Sequence, residues 1–208
     1  YKKVFAYYDQ YHPYVENWIR WREIERYTFE LAAPLFRLDQ YDLIHTQDII
    51  STRALSRVKP RHVPLVATIH GLLATEHVIA GDITSKQSIK WDYVLAEEYY
   101  GATSAELTIV TTRWLKRKLT HPRIGVPPQA LHTIPYGIDR DDFLQKFRQP
   151  STGYIPPVEQ GKTVFICPAR LVPVKGHRYL LEALAILKRT RDDFTCWLVG
   201  YGRLFPEL

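Results

Sequence analysis

The sequence contains no methionine, not even at position 1, and only two cysteines among 208 residues. The missing initiator suggests an internal piece of a longer protein. Cys167 and Cys196 each fall in or at the end of an apolar run without metal-ligand spacing, and they read as buried, reduced thiols of a cytosolic protein. No apolar run approaches the roughly 18 residues that a membrane span requires, and no signal-peptide pattern opens the chain. The sequence also lacks G-x-S-x-G, H-E-x-x-H and paired C-x-x-C, which sets aside serine-hydrolase and zinc chemistry. Hydrophobic residues make up 46% of the chain, enough for a substantial core. A net charge of +6 and a pI near 9.2 point to an anionic partner, whether nucleotide phosphate, membrane or nucleic acid.

Hydrophobic patterning divides the chain into alternating strands and helices, which implies an α/β fold. Lys2 to Tyr8 reads as a first strand. Glu16 to Ala33 reads as a helix burying Ile24, Tyr27, Leu31 and Leu35, with Pro34 limiting its far end. Asp42–Thr46 and Pro64–His70 are short apolar runs around a helix from Ile49 to Arg57, a βαβ pattern with parallel strands. A loop and a helix from Lys86 to Tyr100 follow. Glu97 and Glu98 in that helix are adjacent and so diverge, reading as a solvated face rather than an acid/base pair. Strand Glu106–Thr111, a basic helix Thr112–Thr120 and strand Leu131–Pro135 complete the first part. Trp114, Leu115 and Leu119 are expected to face the sheet. Asp139, Asp141 and Asp142 suit turn and cap chemistry, lacking calcium-loop spacing.

Two places invite chemistry. His45 and His70 lie at the carboxyl ends of neighbouring strands, where parallel sheets bind ligands. A lone histidine there more often serves structure or surface than function. Gly71 makes His70 the stronger candidate, because glycine lets the backbone turn and a ligand approach. The second place is Thr163–Leu187: strand Thr163–Cys167, a loop, and a helix from His177 with Leu180, Leu181, Leu184 and Leu187 on one stripe. The loop brings Arg170 and Lys175 to a helix N-terminus at Gly176, a combination suited to phosphate or to nothing more than solvated cations. Gly200 and Gly202 end the last strand, Phe194–Val199, and by themselves suit either a turn or a nucleotide pocket. The Pro- and Gly-rich stretch 144–161 reads as a linker between residues 1–143 and 162–208.

Three segments, in order, resemble the retaining nucleotide-sugar glycosyltransferases of family 4. ARLVPVKG at 169–176 is similar to the family's G-R-L-x-x-x-K-G loop. TTRWLKRKL at 111–119 followed by HTIPYGIDRDDF at 132–143 is similar to its strand-Ser-helix and I-P-N-G-I-D-x-x-x-F. YDLIHTQD at 41–48 and PLVATIHG at 64–71 are similar to its D-x-I-H and T-x-H-G strand ends. Ala169, Val174 and Tyr136 stand where the family commonly has Gly, Glu and Asn. The family's glycine-rich loop is expected before residue 1 and its E-x7-E segment after Leu208, so the 208 residues alone are expected to be inactive.

The resemblance implies a GT-B fold of two Rossmann-like parallel-sheet domains, the second present in part. It implies transfer of a sugar from a nucleotide-diphosphate donor to an acceptor hydroxyl with retention of configuration. The sugar-orienting role then falls to His70 and the diphosphate to Arg170, Lys175 and Gly176, with Gly71, Gly200 and Gly202 beside the donor. No metal or other cofactor is implied. Expected partners are the nucleotide sugar and a saccharide, lipid or small-molecule acceptor, with no nucleic acid. The expected location is the cytoplasm, with peripheral contact to the inner membrane face left open. A GT-B-shaped epimerase or phosphorylase, or a non-catalytic basic module binding membrane or nucleic acid, are the alternatives. The I-P-Y-G-I-D segment favours the transferase, and the lack of basic-aromatic repeats weighs against the module.

Overall fold

The computed structural model describes residues 1–149, 157 and 160–208. It contains two compact units, 1–137 and 138–208. Both are parallel α/β structures.

In the first unit the chain opens with helix α1, Lys2–Tyr11, where the sequence pattern suggested a strand. Apolar residues at 4–8 occupy both phases of a two-residue period, so alternation does not define a face. The helical spacing of Phe5, Tyr8 and Asp9 does. It places all three against Arg20, which ion-pairs with Asp9 and stacks under the two rings at 5.8 and 5.5 Å.

Helix α2, Asn17–Ala32, lies where expected, and Pro34 falls in the 3-10 turn Ala33–Phe36 that ends it. Its buried face is not the expected one. Leu31 and Leu35 are 79% and 83% exposed, whereas Ile19, Arg20 and Arg26 are buried. Arg26 pairs with both Glu23 and Glu30, and Tyr93 donates to Glu23 at 2.7 Å. The stripe 19–23–26–30 is therefore the inward one, satisfied by its own ion pairs rather than by apolar contact.

Strand β1, Ile44–Thr46, helix α3, Ile49–Val58, and strand β2, Leu65–Ile69, form the expected βαβ unit. Asp48 caps α3 by accepting from Ser51 N–H at 2.8 Å. Helix α4, Leu73–Ala80, occupies part of the expected loop, and helix α5 runs Ile89–Thr103. Then come β3, Leu107–Val110, helix α6, Arg113–Leu119, and β4, Leu131–Thr133. The sheet order is β1-β2-β3-β4, every pair parallel, with Thr46 opposite Ala67, Ala67 opposite Thr108 and Thr108 opposite Leu131.

The main core joins Ile49, Ile69, Val110, Leu115, Leu119 and Leu131. Leu115 and Leu119 thus face inward as expected. Trp114 is instead exposed, with the Lys118 ammonium over its ring. Helices α3 and α5 approach closely at Gly101, where any Cβ would overlap the Ile49 side chain.

Glu97 and Glu98 are not a solvated face. They are 2% and 0% exposed. Adjacent helical residues do diverge, but α5 is covered on more than one side. Glu97 pairs with Arg53 of α3, and Glu98 turns toward α4.

The second unit begins with α7, Arg140–Arg148, capped by Asp139, which accepts from the N–H groups of Asp141 and Asp142 at 3.0 Å. Residues 144–148 of the expected linker are therefore helical, and 150–156, 158 and 159 lie outside the described residues. Strand β5, Thr163–Pro168, helix α8, His177–Leu187, and strand β6, Phe194–Val199, follow, the strands pairing in parallel from Thr163–Phe194 to Pro168–Val199. Cys167 and Cys196 are free and half-buried rather than fully buried, because a two-stranded sheet leaves its faces incompletely covered. Partial burial and the neighbouring Cys167 push the Cys196 thiol up.

Candidate active site

In the first unit, β2 delivers His70 and Gly71 at its carboxyl end, directly before α4. Gly71 has little room for a side chain, since an added Cβ would lie 3.0 Å from Glu76 Oε1. Leu72 occupies the cap position of α4 and supplies no side-chain acceptor. Glu98, reaching across from α5, supplies it instead, accepting from Ala74 N–H at 2.9 Å and from Leu73 N–H. Burial pushes the Glu98 carboxyl up to about 7, against the opposing pull of those backbone donors. The turn that presents His70 is thus pinned by α5.

His70 itself is exposed and fully engaged. Its Nε2 lies 2.9 Å from Gln47 Oε1, and its Nδ1 meets the Tyr136 hydroxyl. The two rings stack, 6° from parallel with centroids 5.7 Å apart. Gln47 also places its amide nitrogen 3.2 Å from His45 Nε2, which meets Thr68 Oγ1 at 2.8 Å. A cavity of about 220 Å³ opens beside this cluster, bordered by Glu25, Phe29, Asp48, Gly71 and Glu76. His45, left as structure or chemistry by the sequence, joins the cluster through Gln47. Neither Gln47 nor Tyr136 was singled out from the sequence as a site residue. Gln47 sits two residues beyond His45 at the same strand end, and that was the available signal.

In the second unit, β5 runs into Ala169 and Arg170, then the 3-10 turn Pro173–Lys175, and enters α8 through Gly176, whose φ of 72° is left-handed. Such a φ suits glycine. Arg170 and Lys175 are both exposed, and among the described residues neither side chain has a hydrogen-bond or ion-pair partner. The loop is stitched to the end of β6 and the residues after it, with Ala169 N–H donating to Val199 and Leu171 N–H to Tyr201 at 3.0 and 3.1 Å. A Cβ at Gly200 would overlap the Ala169 carbonyl, and one at Gly202 the Leu171 backbone. The two glycines thus support the Arg170 loop by close backbone approach. The sequence-designated residues therefore gather in two clusters, His70 with Gly71 in the first unit and the other five in the second. Among the described residues no group of three His, Cys, Asp or Glu side chains could hold a metal ion.

A parallel sheet whose strand ends carry D-x-I-H and T-x-H-G, followed by I-P-Y-G-I-D, is matched from residue 4 to residue 142 by the family model described as Glycosyltransferase Family 4. The chain belongs to glycosyltransferase family 4. It is 29% identical over 167 residues to the uncharacterized glycosyltransferase YqgM of Bacillus subtilis, covering 78% of this chain and 40% of the relative. It is 27% identical over 177 residues to the MMP alpha-(1->4)-mannosyltransferase of Mycolicibacterium hassiacum, covering 79% of this chain and 39% of that one. Against the D-inositol 3-phosphate glycosyltransferase of Jonesia denitrificans the identity is 24% over 163 residues, 74% of this chain and 36% of the other. The family 4 chain thus spans about two-fifths of the length of the curated relatives it matches. Among its described residues no helix is long and apolar enough to cross a membrane.

Proposed function

We propose that the protein transfers a sugar from a nucleotide-diphosphate donor to an acceptor hydroxyl with retention of anomeric configuration. The observation that carries this reading is the pair of unpartnered cations, Arg170 and Lys175, on the loop that leads from β5 into the N-terminus of α8. As the glycosidic bond breaks, the diphosphate leaving group gains negative charge. A guanidinium offering two parallel donors, a mobile ammonium and a helix dipole then stabilise that charge more than they stabilise the intact donor. In this reading protein cations do the work that a divalent ion does in other transferases, so no metal is needed. His70 orients a sugar hydroxyl and is not a nucleophile. The acceptor is a saccharide, lipid or small molecule, and the reaction takes place in the cytoplasm or at its membrane face.

Calorimetric titration of the full-length protein with UDP, GDP and ADP in the presence of a chelator tests the reading. One nucleotide should bind, and Arg170→Ala and Lys175→Ala should each weaken it by about 1.5 kcal/mol or more, the worth of a lost charge-assisted bond. Binding indifferent to both substitutions, or no binding at all, would remove the donor site.

A further inference from the structure

Both ring nitrogens of His70 are engaged, and the two engagements differ in kind. Nε2 faces an amide oxygen, Gln47 Oε1 at 2.9 Å. An amide oxygen only accepts, so Nε2 carries the proton and Nδ1 is the lone pair. The Tyr136 hydroxyl that meets Nδ1 is accordingly the donor. The other end of Gln47 holds this arrangement in place. Its amide nitrogen, which only donates, lies 3.2 Å from His45 Nε2. That nitrogen of His45 is therefore an acceptor, and the Thr68 hydroxyl 2.8 Å away can donate to it as well. With the Gln47 amide in this orientation, one chain of hydrogen bonds, from Thr68 through His45 and Gln47 to His70, favours a single tautomer at the carboxyl end of the sheet.

We propose that Gln47 is a positioning residue that fixes His70 as the Nε2–H tautomer, that Nδ1 accepts a proton-bearing hydroxyl of an uncharged ligand, and that Tyr136 holds that hydroxyl's place when no ligand is bound. The identity of the ligand as a sugar rests on the transferase reading above; the tautomer does not.

Three observations converge on this assignment. Tyr136 is 69% exposed, so its phenol can swing off Nδ1 without opening the core. The cavity of about 220 Å³ lies beside the ring, leaving space for what replaces the phenol. Among the described residues, the charged groups bordering that cavity are Glu25 from α2, Asp48 ahead of α3 and Glu76 from α4, and no lysine or arginine lines it. A lone-pair acceptor among carboxylates repels phosphate and carboxylate and selects a neutral polyol. This is the opposite selectivity to that of the Arg170 loop.

Long-range proton–nitrogen correlation spectra of the ¹⁵N-labelled protein test the assignment, recorded at about pH 8.5, above the usual imidazole range. In the wild type, His70 should show a pyrrole-type Nε2 and a pyridine-type Nδ1, with the pattern reversed for His45. Gln47→Leu should abolish the single tautomer of His70 and pull its two nitrogen shifts together. Tyr136→Phe should preserve the tautomer and move Nδ1 toward the position of an unbonded lone pair. A protonated Nδ1 in the wild type, or a His70 spectrum unmoved by either substitution, would overturn the proposal. Titrating the Tyr136→Phe variant with millimolar glucose, mannose and galactose should return Nδ1 toward its hydrogen-bonded shift. Failure of every sugar would remove the ligand assignment and leave the tautomer standing. Failure of nucleotide binding in the calorimetric experiment would remove the transferase reading, and with it the ground for naming the ligand a sugar, and would leave the tautomer standing.

Discussion

Glu98 shows how far a single residue's role can lie from its place in the sequence. Helix α4 has no Ser, Thr, Asp or Asn at its cap position, so no local signal announces its start. The missing acceptor is a carboxylate 24 residues later, folded back onto Ala74 N–H. Neither the helix nor the buried glutamate was therefore legible from residues 72–80. Burial makes the neutral acid the preferred form, raising its value from the ordinary 4.5 to about 7. The stabilising contribution of the neutral acid is fully present below the unfolded value and is lost as pH rises through about 7. The loss amounts to something on the order of 3 kcal/mol. Glu98→Gln keeps an acceptor for Ala74 and does not titrate. Urea unfolding of wild type and variant between about pH 5 and about pH 8.5 should show the variant gaining on the wild type as pH rises, by that order. A difference that stays flat across the range would mean that Glu98 is ionised throughout.

At the scale of elements, hydrophobic spacing located α2, α3, α5, α6 and α8, missed α1, α4 and α7, and turned α2 the wrong way. The i, i+3, i+4 rule assumes that the apolar stripe faces inward. In α2 the inward stripe is Ile19, Glu23, Arg26 and Glu30, and it packs against α3 and α5, which bring Arg53 and Tyr93 to the same layer. Hydrogen bonds from Arg26 and Tyr93 overcome the cost of burial and hold the Glu23 carboxyl below its usual range. Burial together with the Glu23 charge pushes the Tyr93 phenol well above its own. Charged residues that satisfy one another across helices leave no periodic signature in a hydropathy pattern. Arg26→Met should destabilise the fold by about 3 kcal/mol, because Glu23 would be left with its hydrogen bond from Tyr93 and Glu30 with its ion pair to the exposed Arg57. Adding Glu23→Gln and Glu30→Gln should recover most of that loss. A single substitution that costs nothing in urea unfolding would show the network to be solvated rather than structural.

For the molecule as a whole, the order of motifs was readable because strand-end sequences sit on parallel strands in chain order, β1 to β4, and then on β5 and β6. Residues 2–8 were misread because Tyr and Phe suit strands and helices alike, and only contact with Arg20 decides between them. The formal charge of +6 suggested an anionic partner without locating it. The structure sorts the charges: the first unit keeps Arg26 and Arg53 in ion pairs, whereas Arg170 and Lys175 stand exposed in the second. Exposed cations are screened over a Debye length of about 8 Å at physiological salt, while buried pairs are largely insensitive. Affinity for the nucleoside diphosphate of the proposed donor should therefore fall steadily with added potassium chloride, the loss appearing largely in the association rate through weaker steering. In the Arg170→Ala, Lys175→Ala double variant the same plot should be much shallower. Equal slopes in both proteins would assign the salt dependence to the diffuse net charge, and the Arg170 loop would then lose its claim to be the anion's contact.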